Sequence, residues 1–414
     1  MHSTGGSTPE VLSSSASPSS SSSERRPARP AVTELRLSAF ASHRAAVHTL
    51  GPVTLFAGAS GSGKSTALRA YEALARLGAG EDLATAFPDA ADRVPERARP
   101  DAQGRRGFRI GCTVDGPVGP VRLDVAVQAE PCLRVVGERL TCRGRTLLTT
   151  ALRDPGRTSV QAEWHTAGAT PVTRAPLPDD LLGTALLPLR VAGKTQGQLE
   201  VLAAAEQVVV ALRSVFACDP RPDRMRAPVP TGEGRLRRGC DNLAEVLHRT
   251  RTDCPRRHAR LASVAGAGCV GPVTGLGVEE LPGDRVRAVL ERAGAVAGSP
   301  APGEQGERGP WVTPLGRLGD GELRYLALAL VLLTGPGVLA MDQLAEVPAA
   351  MRTLTVLADR LDQGLDRRQF HELLGLAAGI CAGGHIRLVG AVGEAAAEGV
   401  REVSGVTVVD LSRE

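Results

Sequence analysis

Apolar residues first take on a period near Val32, where Thr33, Leu35 and Leu37 alternate with polar neighbours as in a half-buried strand. Before that point, residues 1–30 are rich in Ser, Pro and Gly, with a serine run through Ser19–Ser23, and predict a disordered tail. Val53–Ala57 is a short, mostly apolar run of the kind a buried strand carries. A Gly-rich turn follows, and then Leu68, Tyr71, Leu74 and Leu77 fall on one helical face, with Gly78 and Gly80 as the stop. From Phe108 to about Leu147 the text changes to short alternating segments broken by Gly and Pro, with Val121, Leu123, Val125 and Val127 in clean alternation. This predicts an antiparallel sheet inserted after the first helix. Leu199–Phe216 predicts the next helix, with Leu202, Ala205, Val209, Leu212 and Phe216 at helical spacing, and Asn242–Thr250 and Pro255–Val264 predict two more. Residues 293–307 read as a flexible loop, Gly321–Leu333 as a strong helix and Val338–Met341 as a strand. Helical text from Ala349 to about Ala382 predicts two helices, and Ile386–Val389 and Val406–Val409 predict closing strands. Strands and helices in this order give an α/β fold.

The turn after Val53–Ala57 carries chemistry. Gly58-Ala59-Ser60-Gly61-Ser62-Gly63-Lys64-Ser65 satisfies G-x-x-x-x-G-K-[ST], with a strand before it and a helix after it. Gly58, Gly61 and Gly63 let the backbone wrap closely and aim its N–H groups, with that of Ser62, at phosphate oxygens. The helix that starts near Lys64 and continues through Thr66 points its positive end at the same anion. Lys64 supplies a compact cation for the β- and γ-phosphates, and Ser65 a hydroxyl for Mg²⁺. Lys64 and Lys194 are the sole lysines among 49 basic residues. Arginine cannot replace a slim point charge inside such a loop, which explains a lysine kept here against the bias.

A phosphate loop needs a second strand whose carboxylate helps to hold Mg²⁺. Val338-Leu339-Ala340-Met341-Asp342 has that form, which makes Ser65 and Asp342 the expected metal pair. About one helix length earlier, Leu318-Gly319-Asp320-Gly321-Glu322 opens the Gly321–Leu333 helix. This segment resembles the signature motif of ABC-type ATPases, in particular the AAA-family, RecF-like and overcoming-lysogenization-defect-like group related to SMC heads. Thr33–Ala57 is similar to that family's opening hairpin, and Val121–Leu140 to its antiparallel lobe, which ends in Gly-Glu-Arg-Leu. Asp219–Pro228, with Arg226, and Cys240–Leu247, with an Asn-Leu pair, resemble segments that precede the signature helix.

The resemblance implies a P-loop NTPase of the ABC-type ATPase head kind, with an antiparallel β lobe and a helical insert. On that reading residues 31–414 form one domain: 31–150 the phosphate loop and β lobe, 151–310 a helical, variable insert, and 311–414 the signature helix, the Mg²⁺-binding acid and the end of the core. It also implies a homodimer that sandwiches ATP and Mg²⁺, in which Leu318, Gly319, Asp320, Gly321 and Glu322 of one copy cap the nucleotide of the other.

Three departures from the family pattern bear on hydrolysis. The position after Asp342 is normally Glu, the group that positions or deprotonates water, and here it is Gln343, with Glu346 three residues further on. Gly319 replaces the signature serine. No His follows the Ile386–Val389 strand, and His385 lies at its wrong end. Gln103 and Gln128 are the candidates for the glutamine that the family places near the metal.

Composition narrows the rest. Aromatic residues make up 2% of the chain, in a usage that fits a GC-rich, actinobacterial-type genome, so clustered stacking platforms for single strands are not expected. A net charge of +4 over 414 residues dictates no polyanionic partner. Arg235–Arg238 and Arg256–Arg260 are read as solvated helix faces, Lys194 as a surface turn, and Trp164 and Trp311 as packing residues. The eight cysteines contain no C-x-x-C pair and are expected to be reduced thiols, and His248 and His258 lack partners at metal-ligand spacing. No apolar run is long enough for a membrane span, which points to a cytoplasmic protein. The expected function is ATP binding with slow hydrolysis. The alternatives are a non-hydrolysing ATP sensor that recruits a protein partner, and a RecF-like, DNA-binding repair or defence ATPase.

Overall fold

The computed structural model describes residues 1–2, 29–166, 171–294, 310–341, 351–401 and 403–413. Most of the expected N-terminal tail, most of the 293–307 loop, and Asp342, Gln343 and Glu346 lie outside the described residues. The hairpin β1 (Ala31–Phe40) and β2 (His43–Thr49) comes first, then β3 (Val53–Ala57), α1 (Lys64–Ala79) and the one-turn α2 (Leu83–Ala86). Six strands follow: β4 (Arg106–Asp115), β5 (Val121–Glu130), β6 (Arg134–Cys142), β7 (Arg145–Ala151), β8 (Ser159–His165) and β9 (Val172–Pro178). Together with the hairpin they form an eight-stranded antiparallel sheet in the order β2-β1-β4-β5-β6-β7-β8-β9. The β lobe therefore runs to Pro178, past the boundary expected at residue 150. The signal was the alternation of buried Val160, Ala162 and Trp164 along β8.

The helices α3 (Gly183–Arg190) and α4 (Gln196–Arg213) lead into β10 (Val215–Cys218). Here Ser214, whose hydroxyl donates to Val210 O at 2.7 Å, closes the helix, so Val215 and Phe216 begin a strand rather than extend α4. After α5 (Pro222–Met225) and β11 (Val229–Pro230) come α6 (Leu243–Asp253) and α7 (Pro255–Gly268). The strands β12 (Val273–Leu281), β13 (Arg285–Arg292) and β14 (Trp311–Pro314) then build a small antiparallel sheet with β11. The 151–310 region is thus mixed rather than helical. The last elements are α8 (Asp320–Leu333), β15 (Leu354–Ala358), α9 (Arg367–Cys381), β16 (Ile386–Val392), α10 (Glu394–Glu398) and β17 (Val406–Asp410).

The central sheet is wholly parallel, in the order β10-β15-β16-β3-β17. Every residue of β3 and β15 is buried, because helices cover both faces. Alternation along β3 divides its side chains between two cores. Phe56 packs with α1 and the β lobe, whereas Val53, Leu55 and Ala57 pack with α8 and α9. Gly78 lies inside α1 instead of ending it, and a Cβ there would meet Leu212 Cβ at 2.5 Å, so its role is the close approach of α4. Gly80, at φ 93°, makes the actual stop.

The β lobe is tied to α3 by a buried carboxylate. Glu138 accepts from Gly183 N and Thr184 N, each at 2.7 Å, and from the Thr184 hydroxyl. Burial pushes its pKa up against those three donors. With the folded pKa raised, its ionisation contribution to stability is full below the unfolded carboxylate pKa and is lost as pH rises through the folded value. Replacement by Ala strands the two buried amides, and Glu138→Ala should cost about 2–4 kcal/mol in urea unfolding. An unchanged midpoint would contradict this account of the lobe.

Candidate functional site

The Gly58–Ser65 loop joins β3 to α1 at the carboxyl edge of the parallel sheet, where α/β folds place their ligands. Its backbone takes conformations that glycine alone adopts freely: φ is 149° at Gly58, 86° at Gly61 and 96° at Gly63. The direction a side chain would take at Gly58 is filled by Ser62 Oγ at 2.7 Å, and at Gly63 by Ser42 Oγ at 2.6 Å and His43 Nε2 at 2.8 Å. Lys64 Nζ folds back over the loop and donates to Gly58 O and Ala59 O, each at 2.7 Å. Ser62 Oγ is buried without a hydrogen-bond partner. A ring of backbone donors, an ammonium held by carbonyls alone and an orphaned hydroxyl fit a phosphate chain that would satisfy all three.

The Ser65 hydroxyl donates to Asp359 Oδ1 at 2.8 Å across 294 residues of sequence. Asp359 follows β15, which pairs with β16, which in turn pairs with the phosphate-loop strand β3. This position was expected for Asp342, and the expected strand is not formed. Pro336–Val338 is a 3₁₀ turn, and Leu339 makes a single isolated bridge to Leu236. Pro336 and Gly337 resist an extended ladder, whereas Thr353, Thr355 and Val356 supply the β-branched character of a true strand. Text read as helical from residue 349 therefore contains a strand, β15, that ends beside an acid in contact with Ser65. The residue after Asp359 is Arg360, so a cation rather than a second carboxylate follows this acid.

The segment Leu318–Glu322 caps α8 as expected, but its side chains serve this copy of the chain. Leu318 is buried in the core, and Glu322 accepts from Gly319 N at 3.0 Å and Val270 N at 2.9 Å. Asp320 pairs with Arg226, which also donates to Gly316 O at 2.8 Å and Leu318 O at 2.7 Å. Arg226 thus clamps the loop, and what the segment can offer a second molecule is its backbone and the α8 N-terminus. Gly321 packs so tightly that a Cβ would meet Gly364 O at 2.1 Å. Gly321→Ala should therefore displace the start of α8 and, with it, any contact that the α8 N-terminus makes with a second copy. Nucleotide affinity of the single chain should stay within about threefold, since the loop physics at Gly58–Ser65 is untouched. Light scattering and nucleotide titration of the variant check the two parts.

Other candidates fall elsewhere. Gln128 donates to Cys132 O at 3.0 Å within the β5–β6 hairpin, and Gln103 is exposed in the turn before β4. His258 Nε2 lies 2.6 Å from Leu276 O, and no group of three metal-ligand side chains occurs among the described residues. Lys194 is exposed beside the α4 cap, Trp164 is buried, and Trp311 is 39% exposed, contrary to its expected packing role. No described helix is long and apolar enough to cross a membrane. The cysteines are free thiols, five of them buried.

Phosphate loop, parallel sheet and antiparallel lobe define a P-loop NTPase fold. The chain is similar to solved SMC head structures. One, an SMC head bound to the C-winged helix domain of ScpA, is 12% identical, with a TM-score of 0.45 over 87% of this chain and 90% of that one. An SMC head domain from Thermotoga maritima is 13% identical, with a TM-score of 0.41 over 91% and 97%. An SMC head with an extended coiled coil, bound to the C-terminal domain of ScpA derived from Pyrococcus furiosus, is 12% identical, with a TM-score of 0.43 over 89% and 91%. No protein-family model matches the sequence, and no curated protein matches it significantly. The fold assignment rests on this chain's own sheet order and loop geometry.

Proposed function

We propose that this chain is an ATP-gated switch of the cytoplasm that binds ATP and Mg²⁺ at Gly58–Ser65 and hydrolyses the nucleotide slowly or not at all. The observation that carries the reading is the Ser65–Asp359 hydrogen bond, which closes the phosphate loop onto the end of β15. Ser65 and Asp359 would hold the metal, whose charge would neutralise the β- and γ-phosphates when bound. Lys64 would turn from the two loop carbonyls to the phosphates, and Ser62 would gain the partner it lacks. In a pair of copies, the α8 N-terminus of one would close over the nucleotide of the other.

Weak hydrolysis follows from what surrounds Asp359. Arg360 cannot take a proton from water. Asp362, the next acid, accepts from Gly393 N at 3.0 Å and is committed to fixing the turn after β16. That turn carries Gly393 and Glu394 and no His. These features favour a sensor that reports ATP to a protein partner over a fast motor. The test is to load the purified protein with MgATP and to analyse the bound nucleotide over an hour. Recovery mainly as ATP is the expected result, and multiple turnovers within minutes would refute it.

A further inference from the structure

Arg360 is more than a missing carboxylate. Its backbone N donates to Asp359 Oδ1 at 3.0 Å, the same oxygen that accepts from Ser65. Its carbonyl accepts from Arg324 Nη2 at 3.1 Å, while Arg324 Nη1 anchors to Pro220 O at 2.7 Å. Between these two restraints Arg360 sits at φ 51°, a left-handed conformation that is unfavourable for a non-glycine residue. Such a conformation persists where its surroundings over-determine it, and here they fix the start of the Arg360 side chain beside the phosphate loop's partner acid.

The side chain itself is loosely held. Its guanidinium lies 3.8 Å from Asp219 Oδ1, too long for a hydrogen bond, and it is largely exposed. Asp219 is shared, because Arg221 approaches it at 3.6 Å. Two guanidiniums thus approach one carboxylate at the carboxyl ends of β10 and β15, and Arg360 directly follows the acid that meets Ser65 of the phosphate loop. Asp219 Oδ1 accepts no hydrogen bond at all. An exposed pair of this kind contributes little, whereas an Arg–phosphate contact is charge-assisted and can be bidentate.

We propose that Arg360 leaves Asp219 and grips the terminal phosphate of bound ATP, so that the site distinguishes ATP from ADP by a charge pair instead of by turnover. This rests on the phosphate-loop reading above, and the test separates the two. ATP and ADP affinities would be titrated, in the presence of Mg²⁺, for the full chain and for Arg360→Ala, Asp219→Asn and Lys64→Ala. Arg360→Ala should weaken ATP by about tenfold or more and leave ADP within about twofold, as expected for one lost charge-assisted contact. Asp219→Asn, which frees the guanidinium, should tighten ATP a few-fold without changing ADP. Unchanged ADP affinity also reports that the variants are folded. If Arg360→Ala weakens both nucleotides equally or neither, while Lys64→Ala abolishes both, the Arg360 proposal is overturned and the phosphate loop stands. If Lys64→Ala leaves both affinities intact, the phosphate-loop reading falls and takes the proposal with it.

Discussion

Asp359→Asn should weaken Mg²⁺-dependent ATP binding by roughly 10- to 100-fold, the scale on which groups that orient a bound metal act. The expectation follows from geometry. Asp359 is the carboxylate at the end of a parallel strand that meets the Ser65 hydroxyl. Asn keeps one oxygen acceptor but removes the charge that a divalent cation needs. The companion variant is Asp342→Asn, which changes the acid that the sequence pattern alone selects. It should leave the affinity within about twofold, because its approach, Pro336–Met341, carries no strand of the parallel sheet. Isothermal titration of both variants with and without Mg²⁺ decides between them. Loss in Asp342→Asn with no change in Asp359→Asn would return the assignment to the earlier segment.

Lys64→Ala should reduce ATP affinity by more than about 100-fold and remove any turnover, since a charge-assisted phosphate contact is lost at the centre of the site. Among the described residues, Lys64 Nζ donates to two carbonyl oxygens of the loop itself and pairs with no acid. Removing it should therefore spare the fold, and thermal melting without nucleotide should shift by less than about 1 kcal/mol equivalent, as for a half-buried residue whose partners are loop carbonyls open to solvent or ligand. Lys64→Arg should also fail, because a planar fork does not fit where a point charge is cradled by two carbonyls. A fully binding Lys64→Arg protein would argue that this loop is not gripping phosphate.

The sequence made the phosphate loop legible because its chemistry is local. Glycines at fixed offsets, one lysine and one serine are all contiguous, with a strand and a helix either side. The β lobe was legible for a similar reason, since Val121, Leu123, Val125 and Val127 show the period of a sheet with one covered face. The α8 helix announced itself through a long apolar run behind a glycine cap. What the sequence pattern alone did not resolve was the choice between two apolar runs that end in Asp, at 342 and at 359. A strand buried on both faces has no alternation to read, so Leu354–Ala358 merged into helical text that continues with α9. The distinguishing signal was composition: Thr and Val in one run against Pro, Gly, Ala and Met in the other. The identity of Arg360 as the residue beside the acid followed from that choice and was hidden with it. The internal use of Glu322 and Leu318 was hidden too, because Val270 and Arg226 meet α8 through contacts 52 to 94 residues apart.

Particle mass in solution shows whether ATP brings two copies of this chain together. The chain has a mass of 43.0 kDa, and size-exclusion light scattering would follow it without nucleotide, with MgADP and with MgATP. Doubling is expected with MgATP alone, with the doubled particle persisting over an hour and lost in both Lys64→Ala and Gly321→Ala. A single-chain mass under all three conditions, with ATP shown to be bound, would contradict it.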